Sequence, residues 1–237
     1  MHQLFYLKEC SSTNDEVSKF LLYENSDFIG VHTFNQTQGR GQYGNTWTST
    51  AGQNLAYTLA VKAKNFLISD FMFNYYTAIV IRDYLANLTE NTVFIKWPND
   101  IILNRKKIVG ILIEKRKIHQ EQYFIIGAGF NILQDKFDEI SNAGSLLTQT
   151  GKRFDLEEFT ENLNAFLIEK LTNIPSEQEI MDRFNSHLFR KNEISVFEIG
   201  KERQNGIIRY ADEKGEIWIE LENEMRSFYH KEVKLLY

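Results

Sequence analysis

The alternation of apolar and polar positions divides the chain into short elements of both kinds. Residues 3–8 and 28–34 read as strands, and 55–61 is an apolar run of strand length. Residues 70–88 place Phe71, Tyr75, Ala78, Ile79 and Leu85 at helical spacing, with Ser69 or Asp70 as the N-cap. A shorter helix follows Thr13, with Val17, Phe20, Leu21 and Tyr23 on its apolar side. Within residues 92–114, two apolar, β-branched runs flank a turn at Asn104-Arg105-Lys106 and predict a hairpin of buried strands. Residues 122–126 form a strand that runs into Gly127-Ala128-Gly129-Phe130-Asn131. Asp155 caps a helix over 156–171, with Glu158 at its third position. From Leu188 the character changes. Apolar stretches at 193–199, 206–210, 216–221 and 225–229 are separated by turn signals at Gly200, 212–215 and 222–224. Short strands at this spacing predict a small barrel of roughly fifty residues. The class is α+β, with residues 1–187 as one domain and 188–237 as a second.

Composition narrows the setting. No apolar run has the length needed to cross a bilayer, and the N-terminal residues lack a signal peptide's order of charge and apolar segment. A single cysteine, Cys10, has no internal disulfide partner, which suits the reducing cytoplasm. The formal charge of −5 argues against general nucleic-acid binding.

The candidate chemistry is concentrated in three strings. In the first, Lys96 ends an apolar strand and is followed at once by Trp97-Pro98-Asn99-Asp100. Pro98 has no N–H for a ladder, so pairing is expected to be interrupted there. A cation, an amide and a carboxylate are thus held beside a sheet, and Gly110 leaves a notch in the next strand. The bland alternative is a hairpin with snorkelling lysines. In the second, Ser12-Thr13-Asn14 opens a helix. Thr13 and Glu16 fit a capping box, and the same hydroxyls and amide could read a polar ligand. The third is Asn35 to Ser49, which holds Gly39, Gly41 and Gly44. This satisfies a dinucleotide fingerprint in form only: a strand-like run follows rather than a helix, and no acid stands about twenty residues downstream. Residues 28–69 contain no Asp or Glu, in a chain that has 32. A glycine-rich, acid-free loop bearing Arg40 suits a cover over an anion, or an ordinary surface loop.

Together these strings resemble the signatures of the biotin–protein ligases, in family order over nearly the whole chain. The resemblance implies a mixed-sheet catalytic domain of the biotin/lipoate ligase, class II synthetase-like type, with an SH3-like barrel behind it. It implies activation of biotin by ATP and Mg²⁺ to biotinyl-5′-adenylate, then transfer to a lysine of a biotin carboxyl carrier protein. It places Ser12, Thr13, Asn14, Gln36, Arg40, Gly41, Gln42, Lys107 and Gly110 at biotin. Arg40, Trp47, Lys96, Asn99, Gly127 and Asn131 fall at ATP, and Lys107, Lys96, Arg40 and Asp100 are the candidates for catalysis. Gln42 departs from the family, many of whose members carry a second arginine there. The opening strand at residue 3 gives the expectation of a monofunctional form without an N-terminal DNA-binding domain, hence no nucleic-acid or membrane partner; a homodimer stays open. A lipoate– or octanoate–protein ligase of the same fold, and a non-catalytic biotin-binding regulator, are the alternatives.

Overall fold

Among residues 3–21, 26–137 and 141–237, which the computed structural model of the protein describes, the chain divides into two compact units. Tyr23 lies outside the described residues. The first unit takes the chain up to Leu67 together with Lys106–Asn173; the second takes Ile68–Arg105 and Ile174–Tyr237. The first begins with β1 (Gln3–Tyr6), α1 (Thr13–Phe20), β2 (Phe28–Thr33), β3 (Gly39–Arg40), β4 (Thr46–Trp47) and β5 (Asn54–Lys62). The second then supplies α2 (Asp70–Leu88), β6 (Val93–Lys96) and β7 (Asp100–Leu103). The chain returns to the first for β8 (Lys106–Ile118), β9 (Glu121–Asn131), α3 (Leu146–Thr150) and α4 (Leu156–Thr172). It ends in the second with α5 (Glu177–Ser186), β10 (Ile194–Ile199), β11 (Glu202–Ala211), β12 (Ile217–Leu221), β13 (Met225–Phe228) and β14 (Val233–Leu236).

In the first unit the strands lie in the order β1-β2-β5-β9-β8. β1 runs parallel to β2 and the remaining pairs are antiparallel, so the sheet is mixed. The middle strand, β5, is buried from Asn54 to Val61. Its alternation sends neighbouring side chains to opposite faces. Thr58 meets Thr13 and Asn14 of α1, whereas the Tyr57 hydroxyl donates to Asn164 Oδ1 of α4 at 2.8 Å. The two helices therefore cover opposite faces. At eight residues α1 is too short to persist alone, and Val17 and Leu21 hold it in a core with Ile29, Val31, Ala60 and Ile125.

The second unit is built on α2, where Ser69 caps through Met72 N–H at 3.2 Å as its sequence predicts. Tyr75 stacks on Phe184 of α5 at 3.9 Å, and Arg82 Nε donates to the Val93 carbonyl. β6 and β7 are antiparallel, joined by a reversal at Trp97-Pro98-Asn99 whose first peptide bond is cis. The interruption expected at Pro98 is thus a complete turn of the chain. A residue without an N–H sits where no ladder bond is needed, and Lys96 comes directly opposite Asp100.

The last five strands form an antiparallel sheet in the order β13-β12-β11-β10-β14, the SH3-like appendage the sequence predicts. Its turns are local chemistry. Asp212 Oδ1 accepts from the Lys214 and Glu216 N–H groups, and Gly200 and Gly215 take positive φ. Ile217, Ile219 and Leu221 alternate inward, while Trp218 donates to Asp212 and stacks on Tyr210. The chain leading into these strands is tied to β6: Ile95 N–H donates to the His187 carbonyl and Phe189 N–H to the Ile95 carbonyl, each at 2.8 Å. No helix among the described residues is long and apolar enough to cross a membrane.

That tie generates a prediction. Truncation after His187 removes one of the two bonds to Ile95 and the buried side chains of Leu188 and Phe189. Each side chain contributes about 1.5–3 kcal/mol. A total loss near 4 kcal/mol lowers the melting temperature by roughly 10 °C for a chain of this size. Residues 1–187 are expected to be insoluble or to melt at least that much earlier. A soluble fragment melting with the parent would contradict this.

Candidate functional site

The second of the three strings does not cap its helix. Ser12 occupies the N-cap position without a side-chain cap bond, and Glu16 bonds Lys19 instead of reaching back. Thr13 faces sideways. Its N–H donates to Gln36 Oε1 at 2.9 Å, and its hydroxyl lies 3.3 Å from the same oxygen. The Thr58 hydroxyl is 2.8 Å from that of Thr13 and 2.7 Å from Asn14 Oδ1. One hydroxyl has one proton, so Thr58 donates to the amide oxygen, and Thr13 donates to Thr58 or Gln36. The Asn14 amide nitrogen donates to Glu114 at 2.7 Å, which fixes which way the amide points. Ser12, Thr13 and Asn14 are all buried. The network places a donor–acceptor set at the start of α1 with each group held by another, the condition for reading a ligand's polar ring with little reorganisation.

Backbone pairing delivers Gln36 to this set. Thr37 N–H donates to the Cys10 carbonyl and Gln38 N–H to that of Ser11. Cys10 itself is buried and unpaired, and burial, then the Glu16 carboxylate, push its thiol up to about 11. It holds its proton near neutrality, so acyl transfer through this sulfur is not favoured.

Three glycines on β8 and β9 make room above the sheet. Gly110 and Gly129 are cross-strand partners, and the Trp47 ring lies on both: a β-carbon on Gly110 would meet the ring at 2.8 Å, and one on Gly129 would overlap it. The Lys107 ammonium sits 5.4 Å from the centre of the same ring. Two residues along β9, a β-carbon on Gly127 would overlap the Asn14 side-chain amide, its oxygen first. Gly127 therefore makes its space for Asn14. Asn131 is buried at the end of β9, opposite Asn54.

The loop with Gly39, Arg40, Gly41 and Gln42 is a tight two-stranded ribbon, β3 with β4, closed by a single 3₁₀ turn over Gln42–Gly44. Having no helix behind it, it is not a dinucleotide loop, as its sequence context predicts. Arg40 Nη2 reaches Asp15 at 2.8 Å and lies 3.6 Å from Glu114. Arg116 binds the same two carboxylates and also donates to the Asn14 carbonyl at 2.9 Å.

In the second unit, the Lys96 ammonium pairs with Asp100 at 3.4 Å across the β6–β7 hairpin, and Asn99 lies in the reversal between them. The Tyr237 ring lies beneath that ammonium, 5.6 Å from it. Burial, then the Asp100 charge, push the Tyr237 hydroxyl up to about 12.

The structure thus gathers Thr13, Asn14 and Gln36 into one network, with Ser12 buried beside them in the chain, and Trp47, Gly110 and Lys107 into another cluster, both in the first unit. Lys96, Asn99 and Asp100 are gathered in the second. Sequence reasoning passed over Thr58, although a threonine inside the apolar run 55–61 is itself a signal. It assigned nothing to Asp15, Glu114 or Arg116, whose meaning depends on three separate elements meeting.

Comparison with known proteins agrees with this geometry. The model of the biotin/lipoate A/B protein ligase family matches residues 6–131. The chain is 27% identical to the bifunctional ligase/repressor BirA of Escherichia coli over 211 residues, which is 84% of this chain but only 64% of that protein. It is 31% identical to the biotin–[acetyl-CoA-carboxylase] ligase of Paracoccus denitrificans over 165 residues, 66% of this chain and 68% of that one. A structure of biotin protein ligase from Aquifex aeolicus in complex with biotin and ATP superposes with a TM-score of 0.82 at 26% identity, covering 99% and 98% of the two chains. On its motifs, its mixed sheet and these matches, the chain belongs to the biotin/lipoate A/B protein ligase family.

Proposed function

We propose that the protein is a biotin–protein ligase. It joins biotin to ATP as biotinyl-5′-adenylate with release of pyrophosphate, and then passes the biotinyl group to a lysine of a biotin carboxyl carrier protein. The observation that carries this reading is the buried Thr13–Asn14–Gln36–Thr58 network next to the Trp47 ring on its glycine floor. A ureido ring offers both N–H donors and a carbonyl acceptor, and this network offers fixed partners for both. A lipoyl dithiolane has neither N–H donors nor a carbonyl to match this set. In this reading residues 1–187 bind biotin and ATP and residues 188–237 form the appended barrel.

The chemistry explains why lysines and an arginine recur. In the first step the biotin carboxylate attacks the α-phosphorus of ATP, the C–O–P bond forms and pyrophosphate leaves. Two anions must approach, and fixed positive charge offsets their repulsion. Lys107 is assigned to the biotin carboxylate and α-phosphate, and Lys96 and Asn99 to the rest of the triphosphate. Trp47 and Asn131 are assigned to adenine. No cluster of three or more His, Cys, Asp or Glu side chains suited to a metal ion occurs among the described residues. A Mg²⁺ ion carried on the ATP phosphates, with Asp100 as the protein's carboxylate, fits that composition, because Mg²⁺ commonly takes one or two carboxylates beside phosphates and waters. Bound there, it would neutralise phosphate charge. In the second step the carrier lysine attacks the acyl carbon and AMP leaves, which requires no nucleophile from this chain and agrees with the raised thiol of Cys10.

Arg40 has a different character. Its pair with Asp15 joins side chains 45% and 48% exposed. Exposed pairs of this kind contribute about 0–1 kcal/mol. This suits a latch that holds the Gly39–Trp47 loop closed over ligand and still releases it.

Two experiments test the reading. Biotin should drive exchange of labelled pyrophosphate into ATP without any carrier, since the first step needs none; exchange with lipoate and none with biotin would assign the protein to the other branch of the family. The roles of the cations can then be separated. Lys107→Ala should slow single-turnover adenylate formation about a hundredfold, the loss expected for one preorganised charge of roughly 3 kcal/mol, with biotin affinity less affected. Arg40→Ala should instead let adenylate escape, seen as ATP consumed without carrier modified. The opposite pattern in the two variants would show the roles to be reversed.

A further inference from the structure

The SH3-like barrel ends beside the hairpin that carries Lys96, and the contact is chemical in kind. β14 pairs with β10 through Val196–Leu236 and Phe197–Leu235, which sends the next residue, Tyr237, out of the sheet. The Tyr237 ring packs edge-on against Phe189 at 5.1 Å, and Phe189 in turn packs near Phe94 of β6 at 6.1 Å. Phe189 is itself fixed by its N–H bond to the Ile95 carbonyl, one residue before Lys96. The ring is therefore held by β14 and by Phe189 before any contact with the lysine. Its face meets the Lys96 ammonium at 5.6 Å, and Asp100 holds that ammonium at 3.4 Å.

We propose that Tyr237 is a positioning residue for Lys96: the ring face and the Asp100 carboxylate together hold the ammonium in one place for the triphosphate. This rests on the assignment of Lys96 to ATP made above. A lysine side chain has four rotatable bonds, and a single carboxylate leaves it free to swing. The ring face adds a second contact to the one that Asp100 makes. The two contacts together limit the swing of the ammonium. The proposal also gives the barrel a part in the first chemical step, through a side chain rather than through stability alone.

The discriminating variants keep the ring's shape and change its electronics. With the full-length protein, Tyr237→Phe retains a negative ring face, whereas pentafluorophenylalanine at position 237 reverses it at nearly the same size. Tyr237→Phe is expected to form adenylate within twofold of the parent. The fluorinated ring should raise the KM for ATP, or lower kcat/KM for ATP, about tenfold, the effect of losing one partly desolvated cation–π contact. In a Lys96→Met background the same fluorinated ring should cause no further loss. A readout independent of the reaction accompanies these. The Lys96 Cε–Hε signal of ¹³C-lysine protein, assigned by its disappearance in Lys96→Met, should lie upfield under the ring in the parent and Tyr237→Phe. It should move downfield in Tyr237→Leu. Equal activity of the phenylalanine and pentafluorophenylalanine proteins would overturn the proposal. So would a loss that persists without Lys96, or a Lys96 signal indifferent to the leucine substitution. If the parent shows no biotin-dependent exchange, the assignment of function fails, and the lysine signal still decides whether the ring positions Lys96.

Discussion

The site in the first unit depends on side chains that are missing. β8 and β9 are neighbouring strands of a well-filled sheet, and ordinary residues at 110, 127 and 129 would cover the ground that α1 and the Gly39–Trp47 loop occupy. With glycine at 110 and 129 the Trp47 indole can lie flat on the backbone. With glycine at 127 the Asn14 amide descends far enough to take a proton from Thr58 and give one to Glu114. Close packing leaves no slack for even one methylene in such a place. The polar network therefore follows from the glycines, and the glycines are tolerable because long ladders on both sides of β9 hold the strand.

Charge is distributed around this floor in two grades. Lys107 is placed by backbone, since its N–H and carbonyl bond Asn142 and Gly144. Its ammonium over Trp47 is thus set by the sheet rather than by a carboxylate partner alone. Arg40 is placed by an exposed ion pair that solvent and salt weaken. In the proposed reaction the firm cation near the floor would meet the reacting anions, and the loosely held one on the loop would let the product go. Arg116 shares Asp15 and Glu114 with Arg40, so it anchors the acids that Arg40 meets and holds Asn14 by its carbonyl.

Much of this was legible in the sequence, and the limits are physical. The period of apolar positions gave the strands flanking the site, α2 with its Ser69 cap, and four of the five barrel strands. It passed over β14, whose Val233-Lys-Leu-Leu236 lacks clean alternation because the strand pairs on one side only and stays half-exposed. It passed over α5 too, although Ser176 and Glu179 make the capping box that the structure confirms. At Thr13 the same pattern misled. A threonine three residues before a glutamate fits a cap, but Gln36 and Thr58, remote in sequence, compete for its groups and win. Motifs located Lys96 and Asp100, yet their direct pairing depends on the chain reversing at Pro98. Tyr237 could not be linked to Lys96 by any pattern, since the two are joined only through the path of the barrel.

The central claim is that a ligand's polar ring is read by Asn14 in the space left by Gly127. Gly127 lies in a regular strand, where alanine suits the backbone, so the strain of Gly127→Ala falls on the seat of Asn14. Calorimetric titration with biotin tests the claim directly. The parent should bind biotin and not lipoate. The folded Gly127→Ala protein should bind biotin at least roughly tenfold more weakly, the loss of one hydrogen-bonding group's alignment. Undiminished biotin binding by a folded Gly127→Ala protein would contradict the account.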